Sequence, residues 1–434
     1  MRKRPMKGAA ALLAVALAAA ACGGDDGDSG ATGNVLDEGA GSALAGREVG
    51  AGSTTPADAV AHPESMEEWE ELWAQERAAI VTEIQENGWG LQEDGTTVLG
   101  PDGFTIDLAA CTAGWSNTEG ITDTSIKWGA TGPLSGAAAD GGNINRGISA
   151  VLAHYGEEGT FTDSEGKTRT VEYLIRDDGY DATRTIPLVD ELIDSQRVFA
   201  LHSQGSPHTI RTYDKINQRC IPHIFNIGGH PAWGDPVSHP WTTGHQITYN
   251  VEALLWGTFI DQRIDEFGDG PVVITALALD NEAGTIYSNG FEEYLRTSPN
   301  ADRFEYHVEF IDPQAPSATD QMTTLASKNP DVFLEMLTGT PCSYAITEAA
   351  QNGMKESTPY KFVSSVCNNA TYVGRDAVGD ATDGWWMVGG GFRDITSSAE
   401  DGNAFVEWVA TCWKGPASTP ARALPAGVSS RAGA

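Results

Sequence analysis

Positive charge is what this chain has least of: 27 Lys and Arg stand against 60 Asp and Glu, a formal net charge of -33 over 434 residues. So anionic a surface repels nucleic acid and acidic lipid headgroups, and nucleic-acid binding is set aside on that ground. A G-x-x-x-x-G-K-[ST] segment is also missing, so the chain is not expected to hydrolyse ATP itself, and no cofactor is called for. The apolar run Ala9 to Ala21 falls short of the roughly 20 residues that a membrane-spanning helix needs. Cysteine is sparse, six in all. The length is ample for two domains, each with its own core.

What is present begins with a basic start (Arg2, Lys3, Arg4, Lys7), then the apolar run, then small residues directly before Cys22-Gly23-Gly24-Asp25. This reads as a secretory signal, residues 1–22, that ends at a lipid-modified Cys22, and it resembles a bacterial lipoprotein precursor. Leu17 lies two residues earlier than such signals usually place it. A plain cleaved signal is the alternative, and both readings put the mature chain outside the cytoplasm. In that oxidising compartment Cys111, Cys220, Cys342, Cys367 and Cys412 are left for pairing, with one thiol over. Sequence does not fix the connectivity. Cys342 and Cys367, on adjacent strand exits, are the expected disulfide, worth about 3 kcal/mol.

Residues 23–60 are rich in Gly, Asp, Ala and Ser and cannot bury enough apolar surface to offset chain entropy, so they read as a disordered tether. An appendage over 61–120 comes next. Ser65 and Glu68 form an S-x-x-E capping box, Trp69, Leu72, Trp73, Ile80 and Ile84 recur at helical spacing, and Gly88 ends the helix. Gly100-Pro101-Asp102-Gly103 then suits the turn of a short hairpin.

From Ile121 short β-rich runs alternate with helical segments, the rhythm of βα units on a mainly parallel sheet. Strands are expected at Ser125 to Gly129, Thr170 to Ile175, Val198 to His202, Pro222 to Asn226, Val272 to Leu279, Phe304 to Phe310, Val332 to Met336 and Lys361 to Ser364. Eight strands exceed one small sheet. Pro236, Pro240 and Gly244 interrupt the rhythm, which divides the chain into a first lobe over 121–243, a second over 244–382, and a stretch over 383–434 that returns to the first lobe and ends in an atypical tail. Trp385 and Trp386 read as a return strand into the first lobe, with core packing preferred over solute stacking for the pair. The fold class is therefore α/β, two doubly wound Rossmann-like lobes. In such sheets ligands sit beyond the carboxyl ends of the strands. Two strand-exit loops stand out there: Thr131-Gly132-Pro133-Leu134-Ser135-Gly136, and Ser203-Gln204-Gly205-Ser206-Pro207-His208-Thr209, in which Ser206 is a good N-cap.

Ile121-Thr122-Asp123-Thr124, Gly132-Pro133-Leu134-Ser135-Gly136, Asp177-Asp178-Gly179, Asp280-Asn281-Glu282-Ala283-Gly284, and Thr319-Asp320 leading to Pro330-Asp331-Val332 occur in that order. Together they resemble the branched-chain amino acid type of extracellular solute-binding protein, from about Gly120 to Trp408. The resemblance implies two lobes joined by hinge strands, a small-molecule solute trapped between them and delivery to ABC permease subunits; a monomer is expected, held to the membrane by the lipid at Cys22. It also implies a ligand set of Ser135, Gly136, Gln204, Gly205, Ser206 and Thr209 from the first lobe, Asn281, Thr338 and Gly339 from the second, and Tyr249 near the hinge; His208, beside Pro207 on the cleft side, is added as a further candidate contact from its position alone. One departure bears on the solute. Ser317 and Ala318 stand where amino-acid binders of this family usually carry an acid for the ammonium, so amides and organic acids join amino acids as candidates. Asp320 reads as a helix-start residue.

Six of the nine histidines, His202, His208, His223, His230, His239 and His245, fall within 44 residues, yet their spacing fits no compact metal motif and packing against aromatics is the preferred reading. Leu201-His202-Ser203-Gln204-Gly205 has the place of a hydrolase nucleophile elbow but lacks its first glycine. No catalytic role is therefore assigned. A ligand sensor of the same fold is the main alternative to transport, and a secreted serine hydrolase stands behind both. After Trp408 the chain carries no acidic residue, an unusual ending for so acidic a protein.

Overall fold

The computed structural model describes residues 63–136, 138–387 and 400–413. The expected signal with Cys22, the tether, Gly389 to Gly391 and the tail past residue 413 lie outside the described residues. The chain opens with helix α1 (Met66–Asn87), capped by the Ser65 hydroxyl, which accepts from Glu68 N–H at 3.2 Å, and closed by Gly88 at φ 66°. Beyond it lies a small antiparallel sheet, β1 (Gly90–Leu91), β2 (Thr97–Leu99) and β3 (Thr105–Asp107), with Leu99 opposite Thr105 across the Gly100–Gly103 turn. A Cys111–Cys220 disulfide, not expected as a pair from sequence, ties this appendage to the first lobe. Trp115 Nε1–H reinforces it by donating to Cys220 O at 3.0 Å.

The first lobe is built on β4 (Ser125–Gly132), α2 (Asn143–Glu157), β5 (Thr170–Asp177), α3 (Ala182–Asp190), β6 (Ala200–Ser203), α4 (Ser206–Ile210), α5 (Tyr213–Gln218), β7 (His223–Asn226) and β8 (Thr242–Gly244). The second contains α6 (Tyr249–Gln262), β9 (Val272–Leu279), α7 (Glu282–Thr297), β10 (Phe304–Ile311), α8 (Thr319–Ala326), β11 (Val332–Met336), α9 (Thr340–Gln351), β12 (Tyr360–Val363) and β13 (Trp386–Met387). Each lobe has one five-stranded parallel sheet, ordered β5-β4-β6-β7-β8 and β10-β9-β11-β12-β13. In both, the second strand of the chain sits outside the first, so the order reverses between the first and third strands. That reversal opens a crevice at the carboxyl ends of β4 and β6, and of β9 and β11.

Strand β13 corrects one expectation. Trp386 pairs with Phe362 and Met387 with Val363, so this segment forms the edge of the second sheet and does not enter the first. Trp385 packs edge-on against Phe333 and Trp386 tilts against Phe259, a packing role for both. Chain from this end does reach the first lobe further on: the helix Ala404–Trp413 lies against α1 and α2, with Phe405 between Trp69 and Trp73.

Period-2 alternation accounts for the second lobe's two-sided core. Val272, Ile274, Ala276 and Ala278 of β9 face α6 and α7, while Leu277 and Leu279 face α8 and α9. The same alternation sends Phe333 and Leu337 to the second face, and Glu335 lies between them in sequence. Its carboxyl is fully buried with no hydrogen-bond partner among the described residues, and burial pushes its pKa well up, so it is a neutral acid. The first lobe's main cluster is smaller: Val189, Leu192, Ile193, Val198, Leu201 and Ile216.

Candidate functional site

The loop after β4 is organised by Asp177 at the end of β5. Its carboxylate accepts from Ser135 Oγ at 2.6 Å, Leu134 N–H at 2.8 Å and Gly179 N–H at 3.0 Å, and these donors hold its pKa down to about 2. Ser135 and Gly136 therefore lie exposed at the crevice mouth, with Gly136 at φ 80° turning the chain beside Gly179.

The loop after β6 lies beside it. Gln204 is spent inside the lobe: its Nε2 donates to Gly141 O at 3.0 Å and its Oε1 accepts from Asn145 Nδ2 at 3.3 Å. Gly205 adopts φ 103°, and a Cβ there would stand 2.4 Å from His208 Nδ1. Gly205, not Ser206, occupies the cap position, and Ser206 is the first helical residue of α4. Thr209 bonds back to Gly205 O at 3.1 Å within its own helix. His208 is 1 % exposed, its ring tilted against Tyr180 at 4.6 Å between centroids.

From the second lobe, Asn281 caps α7 by accepting from Gly284 N–H at 3.2 Å. Thr338 and Gly339 lie half-buried on the exit of β11, Gly339 at φ 74°. The expected Cys342–Cys367 disulfide fastens that exit to the exit of β12. Tyr249 opens α6, packs tilted against Tyr287 at 4.6 Å between centroids and accepts from Ser206 Oγ at 3.3 Å, a contact between lobes. A second crossing joins His230 Nε2 to Glu282 Oε1 at 3.2 Å, and His230 holds the Glu282 pKa down. Asp320 sits exposed in the first turn of α8.

Asp178 and Tyr180, both near this crevice, carried no assigned role from sequence. Asp178 is fully buried and accepts from Tyr180 N–H at 2.9 Å and Thr185 Oγ1 at 3.1 Å. Tyr180, at φ 61° and 41 % exposed, is close enough to Tyr249 and Tyr372 of the second lobe for both to help raise its pKa. The Asp177-Asp178-Gly179 motif was the available signal, since it fixes where β5 ends and so which residues come next at the crevice.

No three of the histidines bring ligand atoms within metal-binding reach among the described residues. His202 Nδ1 is paired with Ile224 O, His239 with Asp214 while stacked on Tyr213, and His230 with Glu282. The one set of three ligand atoms close enough for a metal among the described residues is Glu335, Cys342 and Cys367, and its sulfurs are joined to each other. Ser203 Oγ does lie 2.9 Å from His223 Nε2. Both are buried, however, and the far nitrogen of His223 faces Thr242 Oγ1 at 3.4 Å where a hydrolase needs a carboxylate. Burial holds the His223 pKa down to about 3, too low for a general base. A separate pocket of about 480 Å³, lined by Trp115, Glu119, Arg197 and Arg219, lies beside the residues that precede β6 and β7, at the opposite end of the sheet.

The family model described as periplasmic binding protein matches residues 125–411. The chain belongs to the periplasmic binding protein family. Membership places this binding protein outside the cytoplasm, and no helix among the described residues is long and apolar enough to cross a membrane. Solved structures carry the same fold. A fatty acid ABC transporter substrate-binding protein from Thermomonospora curvata is 20% identical over 67% of each chain, with a TM-score of 0.52. A possible leucine/isoleucine/valine-binding protein from Rhodopirellula baltica is 20% identical over 67% of this chain and 74% of that one, at 0.52. An R. palustris solute-binding protein in complex with 4-hydroxybenzoate is 16% identical over 66% and 73%, at 0.54. Among curated protein sequences none matches.

Proposed function

We propose that this binding protein captures a small polar solute, an amino acid or a related amide or organic acid, between its lobes and delivers it to the permease of an ABC importer. The observation that carries this reading is the facing of four strand exits, after β4 and β6 on one side and β9 and β11 on the other, bridged by Ser206 to Tyr249 and His230 to Glu282. Contacts made by both lobes stabilise the closed form, and a permease that distinguishes closed from open then reads occupancy. Ser135, Gly136, Ser206, His208, Tyr249, Thr338 and Gly339 are the proposed contacts, with Gln204, Gly205, Thr209 and Asn281 holding the loops that present them. Lipid at Cys22 would anchor a monomer to the membrane. A thermal-shift screen over amino acids, amides and small organic acids tests the reading: a true solute at about 100 times its Kd adds about 2.7 kcal/mol of stability. Failure of every solute class to raise the melting temperature would contradict it.

A further inference from the structure

The polar groups of the first-lobe wall differ in how they are satisfied. Asp177 accepts from Ser135, Leu134 and Gly179, Asp178 from Tyr180 and Thr185, and Asp181 from the N–H and hydroxyl of Thr183. Asp178, the one buried carboxylate of the three, is bonded through both oxygens within the first lobe, which leaves no buried carboxylate of this wall for an incoming ammonium. His208 is the opposite case. Both its ring nitrogens are buried and neither has a hydrogen-bond partner among the described residues. Tyr180 O pulls on the ring without standing in hydrogen-bonding position. An imidazole always carries at least one N–H, and leaving it unmet in a dry site is costly.

The surroundings of that ring set which ligand would relieve it. Asp178 and Asp181 favour a positive imidazole, Arg211 on the ring's own helix segment opposes it, and the neighbouring Tyr180 is neutral. Burial outweighs these and holds the His208 pKa down, so the free protein keeps the ring neutral. Burial also raises the Asp178 pKa, and an anion arriving from the cleft side would add its charge to the pull of Asp178 and Asp181 on the ring and tip the balance.

Resting on the cleft reading above, we propose that the solute is a small carboxylic acid without an ammonium group, and that His208 takes up one proton as it is captured. No covalent bond changes: the proton comes from solvent onto the imidazole, and the solute carboxylate becomes its partner. The acid's charge raises the ring's proton affinity, so linkage requires tighter binding as the pH falls toward the free-state value.

Titration calorimetry of the full chain with 4-hydroxybenzoate, hexanoate and L-leucine tests this, each at about pH 8 and about pH 6 in two buffers of different ionisation heat. Expected is binding of at least one of the two acids, about ten-fold tighter at the lower pH, with close to one proton taken up and no binding of leucine. His208→Gln should bind that acid more weakly at the lower pH and lose the pH dependence, with an unchanged melting temperature of the free protein showing that it still folds. Leucine binding, acid binding that is flat with pH, an unaffected His208→Gln, or no binding of either acid would each overturn the proposal. Leucine binding abolished by Tyr249→Ala would overturn it while leaving the cleft reading standing. Binding indifferent to both His208→Gln and Tyr249→Ala would remove the cleft reading itself.

Discussion

Gly205 is the position where one methyl group should do most damage to the cleft. Its φ of 103° is poorly accessible to other residues, and the added Cβ would press on His208 Nδ1 and on Tyr180, 3.1 Å away. Gly205→Ala should lose about 1–3 kcal/mol of stability and weaken solute binding beyond that, read by denaturant unfolding and titration calorimetry. Unchanged affinity would show that the wall formed by His208 and Tyr180 does not touch the solute. Glu335 makes the reverse prediction. Its carboxyl is unpaired in an apolar cluster with Phe333, Leu337 and the Cys342–Cys367 bridge, so Glu335→Leu removes a desolvated polar group and should stabilise by about 1–3 kcal/mol in urea unfolding. A loss of stability would mean that this carboxyl has a partner after all. At this scale the sequence was only partly readable. His208 stood out through its place after Pro207 in a strand-exit loop, whereas Asp178 and Tyr180 did not, because the importance of Asp178 comes from burial and that of Tyr180 from what lies across the lobe boundary. Gln204 and Thr209 had suitable chemistry and turned inward, a choice that no one-dimensional pattern encodes.

Among elements, the long strands were the most legible. Val272–Leu279 and Val332–Met336 match the expected runs because both faces are buried and the apolar stretch is continuous. The edge strands Thr242–Gly244 and Trp386–Met387 were not placed in their sheets, since two or three residues offer no period to read and their pairing is decided by the neighbour. The helical segment between β6 and β7 is broken into Ser206–Ile210 and Tyr213–Gln218, with Thr212 Oγ1 donating to His208 O between them. The two disulfides act at this scale. Cys342–Cys367 spans 25 residues and fixes the β11 and β12 exits to each other, so its removal by paired Ser substitutions should cost about 3 kcal/mol. Cys111–Cys220 spans 109 residues and holds the appendage, so breaking it should speed proteolysis before Ile121 while the lobes stay resistant. Equal digestion rates of the bridged and unbridged proteins would contradict that assignment.

For the whole molecule, the two-lobe architecture was visible in the alternation of strands and helices, and the chain's path between the lobes was not. Glu252 shows how the second lobe's cleft side is tied to its core. Fully buried on α6, it accepts from Tyr287 OH at 2.5 Å and from Ser365 N–H and Oγ at 2.7 and 2.8 Å, and burial still raises its pKa from 4.5 to about 7. A carboxyl that binds its proton more tightly when folded contributes stability that is full below its unfolded pKa and is lost as the pH rises through the folded value. The wild-type protein should therefore lose on the order of 3 kcal/mol between about pH 4.5 and about pH 7 relative to Glu252→Gln, measured as the difference between their melting curves. Parallel curves would show that Glu252 does not titrate there.

The central claim, that a solute is held by both lobes at once, is tested most directly by amide hydrogen exchange with and without a solute found in the thermal screen. The account predicts slowed exchange in two separated places, the loops 133–136 and 204–209 of the first lobe and the loops 281–284 and 337–341 of the second. Protection confined to one lobe, or centred on Trp115 and Arg219 at the far end of the first sheet, would contradict it.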